Sequence, residues 1–377
     1  MQRSTSNRTL SRKLSGISER KQSLSNLRNR ISTVSIHDED ERIASSASSK
    51  SNRMRKKDQI EKFIESPQPL IDTSLSQLRH TILCEGLPES CPYRCYIWSI
   101  LLRAAPIESE WYSGVVARGE VNATSIGSDS KYSKVGEKIK NDAFRTFQSN
   151  EKFWAKASKE EFIRILNAFA WCAIEGKEMD KVNLEESDLN DVSPYVQGMN
   201  VLLAPFLYVS RSEPQAFTLF YNLMMIQMPR YVTPTIHGTM DGVKLVEIVL
   251  KSVDPKLAEH LMKTRTSATL YALPSVLTLC ACTPSLDELL KLWDFLFSFG
   301  VHMNIILIVS QLLLIRTELL NAKNPMSLLR QFPELKADKI IKLSLSITKS
   351  ISDELNDLIV RHLFDDSVTE LIDEYNP

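Results

Sequence analysis

Residues 160–176 read EEFIRILNAFAWCAIEG. Apolar side chains fall at Phe162, Ile163, Ile165, Leu166, Phe169 and Trp171, spaced for a helix rather than a strand, and they occupy most of its circumference. A helix apolar on most sides must lie inside a core. The same period extends in both directions. Ile60–Glu65, Leu75–Glu85 and Arg94–Ala104 read as helices before it, and Pro214–Met228, Gly242–Lys251, Pro255–Lys263, Leu286–Phe299 and Val301–Leu320 after it. No stretch sustains alternation of period two. Glycine is scarce at 11 of 377 residues, about 3% against a usual ~7%, which argues against the glycine-rich turns of nucleotide-binding α/β folds. The expected fold is all-α.

Residues 1–57 differ in texture. They contain no Phe, Trp or Tyr and hold 14 Lys/Arg against 5 Asp/Glu. Such a segment cannot bury enough apolar surface to offset its ordering entropy, so a disordered basic tail is expected. The pattern Arg-x-x-Ser recurs at Arg8/Ser11, Arg12/Ser15, Arg20/Ser23 and Arg42/Ser45. It reads either as a substrate for basophilic kinases or as a product of composition. An Arg- and Ser-rich start also has the composition of a transit peptide, which the domain that follows disfavours. The expected organisation is this tail, a domain over residues 58–366 and a short acidic tail over 367–377. Ser113–Gly136 reads as a loop, and Glu175–Asp191 as an acidic loop ahead of the segment SPYVQGMN.

Total charge is balanced, with 46 basic and 46 acidic residues, so it identifies no nucleic-acid or membrane partner. Met1–Ser18 lacks an apolar run, and six free thiols in a reducing compartment are expected. Phe295–Ile315 carries no Lys, Arg, Asp or Glu and is long enough to cross a bilayer. His302, Asn304, Gln311 and the break at Gly300 favour two buried helices instead. His80, Cys84, Cys91 and Cys95 are four potential metal ligands, but the CxxC spacing of compact zinc sites is missing, and no metal is expected. Walker A, GxGxxG, HExxH and GxSxG patterns are absent.

Three short segments carry the chemistry. Arg94 and Trp98 stand four apart on one helical face. In IKNDAFRT (residues 139–146), Asp142 and Arg145 are three apart, so a carboxylate can orient a guanidinium. In YVQGMN (residues 195–200), Gln197 precedes Gly198, as in a tight turn that backbone approaches closely. Taken singly, these are an ordinary helix pair, an ordinary ion pair and an ordinary turn. In this order, RxxxW, IxxDxxR and YxQG resemble the three signature motifs of the TBC family of GTPase-activating proteins, and LWDFLF at Leu292–Phe297 resembles its late Trp-Asp helix. The resemblance covers roughly residues 60–365. KIKNDAFRTFQ, YVQGMNVLLAPFLY, KLWDFLFSFGVHMN and LLRQFP resemble the branch of the family that serves the spindle-position checkpoint.

The resemblance implies a single multi-helix domain and two catalytic fingers, Arg145 and Gln197, supported by Asp142, Arg94, Trp98, Tyr195, Gly198 and Asn200. It implies a small Ras-like GTPase of the mitotic-exit network as target, and a larger co-subunit forming a two-component complex. GTP and Mg2+ would come with the GTPase, so the chain needs no cofactor of its own. Cytoplasm, cytoskeleton and spindle pole body are the implied locations. The sequence departs from the family at Phe144 and Gln148, where Pro is frequent, at Val196, where Cys is usual, and at Tyr271–Cys282, which lacks a Trp.

Physically, phosphoryl transfer to water needs positioning and charge stabilisation more than covalent help. Arg offers a planar, permanently charged fork. The Gln amide can both accept from the attacking water and donate. Two other readings stay open at this point: a scaffold that recruits a GTPase without accelerating hydrolysis, and an activator of Rab GTPases in vesicle traffic.

Overall fold

The computed structural model describes residues 71–148, 150–176 and 192–375. The basic tail, the Ile60–Glu65 helix and nearly all of the acidic loop lie outside them. Among the described residues there is no strand. The helices used below are, in chain order, α1 (Ile71–Glu85), α2 (Arg94–Leu102), α3 (Val135–Arg145), α4 (Lys159–Glu175), α5 (Met199–Val209), α6 (Glu213–Asn222), α7 (His237–Val253), α8 (Leu286–Phe299), α9 (Asn304–Leu314), α10 (Ala337–Ser350), α11 (Asp353–Arg361) and α12 (Val368–Glu374).

Helix α4 is the stretch that opened the reading. Ser158 and Glu161 form a reciprocal capping box, with each side chain bonded to the other's backbone N–H, and Gly176 closes the helix in the left-handed conformation at φ 60°. Every residue from Ile165 to Cys172 is buried. Asn167, the polar member of that run, has both ends of its amide occupied. It accepts from Val121 N at 3.0 Å and donates to the Ile163 carbonyl at 2.9 Å. Phe169 packs against Phe220 of α6, with ring centroids 5.3 Å apart.

A second centre joins α2, α5 and α8. Trp98 of α2, Phe206 of α5 and Trp293 and Phe297 of α8 are all buried. Trp98 lies 5.7 Å from Phe206, 5.7 Å from Trp293 and 5.1 Å from Phe297 between ring centroids, mostly edge to face. Phe295–Ile315 resolves into the end of α8, the turn Val301–Met303 and α9, with Gly300 at the break. Among the described residues no helix is long and apolar enough to cross a membrane.

Two expectations are corrected. Ser113–Gly136 is not wholly loop. A helix spans Ser109–Val116, and a further turn spans Ala123–Ile126, where polar residues that read as loop act as caps. Asn122 accepts from Thr124 N and Ser125 N. Residues 367–377 are not simply a tail. Helix α12 buries Val368 and Ile372, and Arg230 ties its approach to the core. The Arg230 guanidinium donates to Asp241 at 2.9 Å, to Asp366 at 2.6 Å and to Thr369 at 2.8 Å.

Beside Arg230 lies a buried histidine pair. His362 Nδ1 donates to the Ile359 carbonyl at 2.5 Å, so its Nε2 must accept from the Tyr231 hydroxyl at 2.9 Å. Burial pushes His362 down to about 4, and burial together with His362 pushes His302 down to about 3. Both therefore bind protons more weakly in the folded chain than in the unfolded one, where the value is 6.5. Their contribution is complete above that value and is lost as the pH falls through it toward the folded values. Asp294 acts in the opposite sense, since burial raises it to about 6. At pH 5 each histidine costs on the order of 2 kcal/mol and Asp294 returns somewhat less. The thermal midpoint at pH 5 should therefore lie below that at pH 7.5. A calorimetric scan showing an equal or higher midpoint would contradict the histidine assignment.

Candidate functional site

Helix α3 presents its motif by the helical period. Ile139 faces the core with no exposure, Asp142 is 9% exposed, and Arg145 at the helix end leaves 68% of its side chain in solvent. Asp142 Oδ1 accepts from Arg145 Nη2 at 2.6 Å, and Arg145 Nε donates to the Asn141 carbonyl at 3.2 Å. The other carboxylate oxygen of Asp142 accepts the Tyr195 hydroxyl at 2.8 Å. Burial, reinforced by that carboxylate, drives the Tyr195 phenol well above its ordinary value, so it remains a donor at any working pH.

Gln197 stands on a turn. The Val196 carbonyl accepts from Met199 N at 3.1 Å, and Gly198 has φ 109° and ψ −20°, the left-handed conformation that the third position of a type II turn requires. A Cβ on Gly198 would also sit 3.2 Å from Leu277 Cδ2 and 3.3 Å from Thr278 Cγ2. Asn200 holds the turn from within α5, its Oδ1 accepting from Gly198 N at 3.1 Å. Its Nδ2 donates at 2.8 Å to Thr146 Oγ1, and that hydroxyl donates to the Asp142 carbonyl at 2.7 Å. The end of α3 and the start of α5 are thus joined twice, through Asp142–Tyr195 and through Thr146–Asn200.

Both exposed side chains border one open cleft of about 1170 Å³. Arg145, Thr146 and Phe147 line it from the end of α3, and Val196, Gln197 and Gly198 from the turn. Leu273, Pro274 and Leu277 supply apolar lining. Lys152 and Asp287 face each other at its border, 3.7 Å apart. A guanidinium and a carboxamide projecting into a wide, partly apolar cleft suit the surface of another macromolecule better than a small metabolite.

Arg94 and Trp98 lie elsewhere. The partner of Arg94 is Asp294 of α8. Arg94 Nε lies 3.2 and 3.3 Å from the two oxygens of Asp294, and Trp98 Nε1 donates to Asp294 Oδ1 at 2.8 Å. The rest of the Arg94 fork donates to the carbonyls of Glu89 and Pro88, each at 2.9 Å. This is a buried ion pair that ties α2 to α8. Sequence reasoning missed Thr146 as a link. It also missed the Arg94–Asp294 pairing, although a lone acid at the edge of a 21-residue uncharged run (295–315) is a signal that a cation must meet it.

The Cys84 thiol lies 3.7 Å from His80 Nε2. Cys95 instead faces Ser210 at 3.4 Å and Gln215 at 3.8 Å. Among the described residues no three His, Cys, Asp or Glu side chains converge as metal ligands.

The chain belongs to the Rab-GTPase-TBC domain family, which matches residues 91–320. It is similar to the mitotic check point protein BUB2 of Saccharomyces cerevisiae, with 38% identity over 315 residues that cover 82% of this chain and 98% of that protein. It is also similar to cell division control protein 16 of Schizosaccharomyces pombe, with 35% identity over 303 residues, 79% of this chain and 91% of that one. Among solved structures, the Ypt/Rab-GAP domain of Gyp1p shares the fold, with a TM-score of 0.62 and 15% identity over 78% of this chain and 97% of that chain.

Removing one partner of a buried ion pair strands the other. Asp294→Leu should cost about 3–5 kcal/mol in urea unfolding, and Arg94→Met with Asp294→Leu should recover much of that loss. A double variant as unstable as the single one would refute the pairing as the source of the cost.

Proposed function

We propose that the protein is a GTPase-activating protein of the mitotic checkpoint, accelerating GTP hydrolysis by a Ras-like GTPase seated on the cleft. Arg145 serves as the arginine finger and Gln197 as the finger that orients the attacking water. The observation that carries this reading is the convergence of these two exposed side chains on one cleft, each from a turn or helix end pinned by buried hydrogen bonds. The similarity to a yeast mitotic check point protein supports the cellular setting. The chain works with a larger co-subunit and at spindle pole bodies, and the GTPase carries GTP and Mg2+.

Arg145 would place its fork on the γ-phosphate oxygens where charge develops, and Asp142 would keep it aimed before contact. Gln197 would accept a hydrogen bond from water through its carbonyl and donate through its amide. Gly198 lets the Gln197 turn pack directly on Leu277 and Thr278, which any side chain there would meet.

One observation favours a scaffold instead. Both Arg145 contacts run back to its own helix, to Asn141 and Asp142, so the fork must leave at least one of them to reach a phosphate. One experiment separates the readings: single-turnover hydrolysis by the host's GTP-loaded mitotic-exit GTPase with both subunits present. Arg145→Ala should lower the stimulated rate by about 10³-fold or more, and Gln197→Ala should also lower it. Because both side chains are exposed, thermal midpoints should stay near the unsubstituted value. An unchanged hydrolysis rate in Arg145→Ala would leave only the scaffold.

A further inference from the structure

We infer that Phe144, with the Lys159 ammonium against its ring, is a specificity-determining contact that selects a GTPase surface carrying an apolar side chain beside a carboxylate. This rests on the proposed function above and identifies which partner chemistry the site accepts. Phe144 is 53% exposed although it immediately precedes Arg145 on the last turn of α3. One exposed aromatic ring is common on protein surfaces and by itself says nothing. Its setting carries the inference.

The backbone under this ring is fixed. The Phe144 carbonyl accepts from Gln148 Nε2 at 2.7 Å, and the next turn is held by Thr146 Oγ1 on the Asp142 carbonyl. The ring is therefore presented from a rigid element, so little conformational freedom remains to be lost on contact. The Lys159 ammonium lies 4.9 Å from the Phe144 ring centroid and 5.8 Å from that of Trp154. Trp154 is itself anchored, its Nε1 donating to the Phe147 carbonyl at 3.0 Å. Among the described residues no carboxylate forms an ion pair with Lys159. A cation held between two rings keeps its charge available to a partner while its stem covers apolar surface.

Lys152 and Lys156 are exposed on the same segment, and Lys156 lies 4.1 Å over the Tyr208 ring. Glu151 and Glu160 are exposed there too, so the segment is not uniformly positive. The selective position is the Phe144–Lys159 pair itself. A GTPase presenting an apolar side chain to the ring and a carboxylate to the ammonium gains both contacts. One presenting a Lys or Arg there meets like charge and leaves the ring uncovered.

The test uses the full-length chain with its co-subunit and the GTP-loaded mitotic-exit GTPase of the host. Phe144→Ala, Phe144→Leu, Lys159→Ala and Lys159→Glu are compared by steady-state hydrolysis and by fluorescence anisotropy of the bound GTPase. Phe144→Ala and Lys159→Ala should each raise KM and Kd about tenfold with kcat within about twofold. Lys159→Glu should raise them further, Phe144→Leu should retain most of the affinity, and the salt dependence of Kd should flatten in Lys159→Ala. Unchanged KM and Kd in Phe144→Ala and Lys159→Ala overturn the inference, and equal thermal midpoints exclude misfolding as the cause of any change. Arg145→Ala in the same assay reports separately on the finger. Weakened binding in Phe144→Ala beside a fully active Arg145→Ala supports the contact and removes the finger. A normal Phe144→Ala beside an inactive Arg145→Ala does the reverse.

Discussion

One carboxylate in an apolar core organises much of this molecule. Asp294 sits on α8 among Trp98, Phe206, Trp293 and Phe297, where an uncompensated charge would be untenable. It is answered by the Arg94 fork and the Trp98 indole, both from α2. The remaining Arg94 donors go to backbone carbonyls that precede the helix. The bonds to Asp294 dictate how α2 lies on α8, and those to Glu89 and Pro88 tie the segment before α2 to the same guanidinium. Phe206 packs into the same rings and brings α5, which the Gln197 turn immediately precedes, into register with them. Such a pair adds less net stability than its contacts suggest, because two desolvations oppose it. What it confers is one arrangement of three helices.

From that platform the cleft is assembled by short polar links rather than by apolar packing alone. Thr146 and Asn200 are both buried and bond to each other, while each also bonds to the backbone of its own motif. The spacing between the end of α3 and the Gln197 turn is then a matter of hydrogen-bond lengths. Phe147 takes a positive φ of 48° directly after Thr146, and its carbonyl is secured by Trp154. Backbone strain of this kind persists only where surrounding contacts over-determine it.

The parts of this design that were legible in the sequence are those written over short spans. Helix α4 was readable to within a residue, because its capping pair, its apolar run and its terminal glycine are contiguous. The Asp142–Arg145 pair was readable because three residues make one helical turn. The Gln197 turn was readable because glycine tolerates its dihedral angles. Illegible were the links that close across 54 residues, Thr146 to Asn200, and across 200, Arg94 to Asp294. No local pattern encodes them, and Arg94 alone is compatible with any acid the fold happens to deliver. The loop expected over Ser113–Gly136 failed for a different reason. Its Asn and Ser residues are as well suited to starting a helix as to avoiding one.

Asp142 divides its carboxylate between two donors of different character, a guanidinium in solvent and a largely buried phenol. If the guanidinium departs, the phenol remains, and the carboxylate is not left as an orphan anion beneath the surface. Extending Arg145 toward another molecule therefore gives up its surface contacts with Asp142 and the Asn141 carbonyl, while the architecture behind it stays satisfied. The arrangement works as a ratchet pawl would: the arm can lift without the mount loosening, and on its return it finds the same seat.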